Sequence, residues 1–128
     1  MSHFNRWFEN VVSSSRLIAD SDALSRVWIK GEKGITSMFS VDELLEQLLG
    51  DLHIEENVPL FENDLKSCGA FEAFQAFAKE LAALEVAVGS DPQLGNPENL
   101  LSSQRWEAVR LAAERIRELP SQPLTRDG

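Results

Sequence analysis

The sequence predicts an all-α fold, a compact bundle of about five helices, on three observations. Apolar residues recur at steps of three and four along most of the chain, as in Val41, Leu44, Leu45, Leu48, Leu49 and Leu52, or in Phe74, Phe77, Leu81, Leu84 and Val88. Helix-start signals precede these stripes, at Asp20, at Ser40 and at Asn96-Pro97. Strand-prone residues cluster only around Val27-Trp28-Ile29 and Ile35-Thr36-Ser37-Met38-Phe39, where a small hairpin near residues 27–39 is the alternative.

Phe4, Phe8, Val11 and Ile18, flanked by Trp7 and Val12, give a first amphipathic helix over 4–18, weakened by Ser13-Ser14-Ser15. Asp20 caps a short second helix with Leu24, Val27 and Trp28, and Lys30-Gly31-Glu32-Lys33-Gly34 breaks it. Ser40-Val41-Asp42-Glu43 has capping-box spacing and opens a third helix, with Asp42 and Glu43 at the positive end of its dipole. Gly50 either ends that helix or is carried through it. Pro59 marks a break, followed by a short helix through Phe61 and Leu65. A long helix over 70–88 supplies the centre of the core. The last helix starts at the Asn96 cap with Pro97 in its first position, uses Trp106, Val109, Ala112, Ala113, Ile116 and Leu119, and stops at Pro120. Residues 1–119 therefore read as one helical domain and 120–128 as a disordered tail.

Charge is distributed unevenly. The net formal charge is −9 over 128 residues. Residues 42–64 hold Asp42, Glu43, Glu46, Asp51, Glu55, Glu56, Glu62 and Asp64 without one Lys or Arg, while each flank, 1–41 and 99–128, carries five bases and four acids. A segregated acidic field repels nucleic acid and anionic membranes and attracts basic proteins. These eight carboxylates are the candidate partner-binding residues. Arg105, Arg110, Arg115 and Arg117 on the last helix alternate with Glu107, Glu114 and Glu118, the pattern of a salt-bridged surface.

Chemistry is sparse. Gly31-Glu32-Lys33-Gly34 lacks the spacing of a phosphate-binding loop. His53, Glu55 and Glu56 are close in sequence, yet no Glu-x-x-His unit is present and the carboxylates lie off the apolar stripe, so neither a metal nor a cofactor is expected. Cys68 is the only cysteine, which excludes an internal disulfide and suits a reducing, cytoplasmic location. Nothing near it favours a thiolate, and no catalytic residue is assigned. No apolar run reaches the length of a membrane-spanning helix, and the residues after Met1 read as the edge of the fold, not as a signal peptide.

Ile35-Thr36-Ser37 leading into Asp42-Glu43-Leu44-Leu45-Glu46-Gln47-Leu48-Leu49-Gly50-Asp51-Leu52, after a helix containing Trp28, resembles small bacterial immunity proteins of polymorphic toxin systems, in particular those of contact-dependent growth inhibition. The likeness extends over residues 1–90. It implies a cytosolic protein, monomeric when free, that binds the C-terminal toxin domain of a cell-surface effector in a 1:1 complex and blocks its active site. Many such toxins are basic nucleases, tRNA-cleaving ones among them. The resemblance carries over no functional residue. Leu60, Phe61 and Trp28 are the apolar residues that could anchor such a complex. An acidic helical adaptor or secretion chaperone is the alternative reading; it requires an exposed apolar groove and a dimer.

Overall fold

A computed structural model describes residues 3–34 and 40–120. Within them the chain is helical and contains no strand. Helix α1 spans His3–Ala19, α2 Ser21–Trp28, α3 Val41–Leu45, α4 Ile54–Leu60, α5 Glu62–Ser67, α6 Phe71–Ser90, α7 Pro97–Leu101 and α8 Gln104–Arg117. A π-helical segment, Glu46–Asp51, continues α3, and a 3₁₀ turn, Pro92–Gly95, links α6 to α7. The described part of the alternative hairpin is helical: Val27 and Trp28 end α2, and Ile29 caps it with helical dihedrals. Residues 35–39 and 121–128, the other hairpin arm and most of the expected tail, lie outside the described residues.

The elements begin where side chains can satisfy free backbone N–H groups. Asp20 accepts from the Ala23 amide at 3.1 Å, and Ser40 from the Glu43 amide at 3.2 Å. Asn96 accepts from the amides of Glu98 and Asn99 at 2.9 and 3.3 Å. The last helix, expected to run unbroken from Asn96, is two helices. Ser102 turns its hydroxyl back to the Glu98 carbonyl, and Ser103 becomes a second cap, accepting from the Trp106 amide at 3.1 Å. Pro59 does not separate α4 from what precedes it. It sits inside α4, where its missing N–H forgoes one bond to the carbonyl four residues back, and the chain breaks two residues later, at Phe61.

Helix α1 packs chiefly on α8, and α8 in turn on α6, so the first and last described helices close the bundle over the long α6. Between them lies an aromatic cluster. Phe8 stacks on Phe74 at 5.0 Å between centroids, and Trp7 lies 5.4 Å from Phe74 and 5.2 Å from Phe61. At the opposite end Trp28 meets Trp106 edge-on at 5.4 Å. Phe74, Phe77, Leu81 and Leu84 are fully buried, as the α6 stripe predicts. No buried side-chain polar atom among the described residues lacks a hydrogen-bond partner.

The α3 stripe behaves differently. Val41, Leu44, Leu45 and Leu48 are buried, but Leu49 and Leu52 are only half-buried. The change coincides with the π-segment, whose i→i+5 bonds, such as Leu52 N–H to the Gln47 carbonyl at 2.8 Å, advance the helix less per residue and rotate later side chains off the stripe. Gly50 is carried through the segment. Leu52 ends it, and its carbonyl accepts from Trp7 Nε1 at 2.7 Å and from Asn57 Nδ2 at 3.0 Å. His53 follows in the left-handed region, at φ 44°, and reverses the chain into α4.

Candidate functional site: an acidic groove

The π-segment, the start of α4 and the end of α6 enclose an open groove of about 630 Å³. Its walls carry Asp42, Glu46, Glu55, Glu56 and Glu85, and its floor Leu45, Leu49 and Val88. The division follows from helix geometry. Each element buries its apolar stripe, and the acids one position away stand at the rim. Gly50 and Gly89, also in the lining, add no side chains and leave the groove open.

Of the eight carboxylates singled out by sequence, four line this groove: Asp42, Glu46, Glu55 and Glu56. The other four lie elsewhere. Glu43 is exposed in the first turn of α3. Asp51 borders a second groove, of about 530 Å³, between α1 and α4. Glu62 is half-buried and pairs with Lys66 at 2.6 Å. Asp64 is exposed on α5. Glu85 is the member that sequence reasoning missed. It is separated from Glu46 by most of three helices, and only the packing of α4 on α6 brings it to the rim.

Within the groove, no ion pair among the described residues engages Asp42, Glu46, Glu55 or Glu85. Glu56 faces His53 Nδ1 at 3.6 Å, a contact that becomes an ion pair only when the imidazole is protonated. The C-terminal helix is the opposite case. Arg110 donates to Glu107 at 2.7 and 2.8 Å and to Glu114 at 2.7 Å, and Arg105 reaches across to Glu80 on α6 at 3.1 Å. The hydrogen bond from Arg110 holds Glu107 below the usual carboxylate range, and the same bond pushes the Arg110 guanidinium up. That surface is internally neutralised; the groove is not.

No group of three or more His, Cys, Asp or Glu among the described residues is placed to hold a metal ion. Cys68 is half-buried, burial pushes its thiol pKa up, and its Sγ lies 3.5 Å from the Leu65 carbonyl. These surroundings disfavour a nucleophilic thiolate. No described helix is long and apolar enough to cross a membrane. Of the three apolar anchor candidates, Trp28 is buried against Trp106 and belongs to the core, Phe61 is half-buried, packed against the aromatic cluster and lining the second groove, and Leu60 is exposed, at 72%. Comparison with known proteins returned no match: no family model fits the chain, and no curated protein or solved structure is significantly similar to it.

Proposed function

We propose that the protein is a stoichiometric inhibitor, an immunity protein that binds a basic toxin domain, with a nuclease as the expected target, and occludes its active site. The observation that supports this reading is the groove itself: five carboxylates at its rim, four of them in no ion pair among the described residues, over an apolar floor. An enzyme that cleaves a polyanion presents Lys, Arg or His groups to the substrate phosphates. Carboxylates offer those groups a competing set of acceptors. The apolar floor suits the aliphatic stems of Lys and Arg, which pack on hydrocarbon while their charged heads reach the rim. The excess negative charge also steers a basic partner and raises its association rate at low salt.

The test is protection in cells. The protein is co-expressed with each of a panel of basic C-terminal toxin domains from contact-dependent inhibition effectors, and growth is measured. Rescue from one toxin by the wild-type chain, lost in Glu46→Lys/Glu55→Lys/Glu56→Lys at equal protein level, is the expected result. Rescue that survives the triple reversal would place inhibition on another surface.

A further inference from the structure

Leu60 is the most exposed large apolar residue described, and it lies at the end of α4. Its position gives it neighbours. Glu56, four residues earlier, stands one turn below it on the same helix face. Glu55 borders the acidic groove on one side of α4, and Asp51 stands with Leu60 in the lining of the groove between α4 and α1 on the other. On the far wall of that second groove Arg6 and His3 bound the acidic field.

We propose that the outward ridge of α4 is the central docking element, with Leu60 as its apolar anchor and Glu55 and Glu56 beside it, and that it receives a basic protein surface carrying an apolar patch. The choice of partner rests on charge complementarity. Leaving Leu60 in water forgoes the gain of burying it, and a basic surface is the one that Glu55, Glu56 and Asp51 attract. Covering Leu60 takes its side chain out of water, while the carboxylates beside it stay at the rim and set the sign of the partner. Leu111, the contrasting exposed leucine at 51%, lies on α8 among charges of both signs, where Arg110 pairs with Glu107 and Glu114, so no field of one sign surrounds it. The inference rests on the reading of the protein as a binder of basic partners and adds the anchor.

The probe is a synthetic amphipathic helical peptide with a leucine stripe flanked on both sides by lysines, titrated into the full-length protein and followed by backbone amide chemical shifts. The expected result is that shifts centre on 55–60, that Leu60→Ala weakens the peptide about ten- to hundredfold, and that Leu111→Ala leaves it unchanged. The change at 60 should not disturb the fold, because the side chain is largely in solvent. Leu60→Ala binding as tightly as wild type, while Glu55→Lys/Glu56→Lys binds more weakly, would overturn the anchor and leave the acidic reading standing. Unchanged binding in the charge reversals would overturn both.

Discussion

Trp7→Phe tests the link between the core and the groove. The indole N–H donates to the Leu52 carbonyl at 2.7 Å, at the point where the π-segment ends. Losing one such hydrogen bond costs about 1 kcal/mol, at the low end because Asn57 still donates to the same oxygen. Replacing indole by phenyl also withdraws roughly two carbon groups from contact with Phe61 and Phe74, at about 0.8 kcal/mol each. The sum is about 2.5 kcal/mol. Denaturant unfolding should show a lower midpoint with an unchanged slope. Hydrogen exchange should quicken first at the amides of residues 46–52. Adding Asn57→Ala should cost more than the two separate changes predict, since the Leu52 carbonyl then loses both donors. A loss under about 0.5 kcal/mol, with exchange at 46–52 unaltered, would refute this account of what holds the groove wall.

Two further outcomes follow from local geometry. Ser103→Ala removes the acceptor for the Trp106 amide and should destabilise the fold by about 1 kcal/mol, read as a shift in the unfolding midpoint; no shift would mean that α8 needs no cap of its own. Cys68, whose thiol pKa is raised by burial, stays protonated to higher pH than free cysteine and should react more slowly with an aromatic disulfide reagent near neutral pH. Faster reaction than free cysteine would contradict its described surroundings.

The helices were legible because their signals are local. The stripes at Phe4–Ile18 and Phe74–Leu84, the caps at Asp20, Ser40 and Asn96, and the stop at Pro120 each depend on residues within one or two turns. Three features escaped that logic. Ser103 caps a separate α8 because Ser102 and Ser103 divert their hydroxyls to backbone groups, and the Trp28–Trp106 contact that seats the new helix is remote in sequence. The π-segment reads as an ordinary apolar stripe, since the Trp7 indole that bonds the Leu52 carbonyl at its end lies 45 residues away in sequence. Pro59 signals a break, and the chain does break, but two residues later, at Phe61, after α4 has run through the proline. The candidate site was half legible. Composition located the acidic block, yet Glu85 joins it only through the packing of α6, while Glu62 is drawn off by Lys66.

The dissociation constant for a basic toxin domain tests the central claim most directly, measured by calorimetry for the wild type, for Glu46→Lys/Glu55→Lys/Glu56→Lys and for Arg115→Glu on the balanced C-terminal helix. Each reversal is exposed and should leave the fold within about 0.5 kcal/mol of wild type. The groove predicts a loss of about 2–5 kcal/mol for the triple reversal where its pairs become buried, mainly through faster dissociation, and little change for Arg115→Glu. Wild-type affinity in the triple reversal, together with a weakened Arg115→Glu, would contradict it.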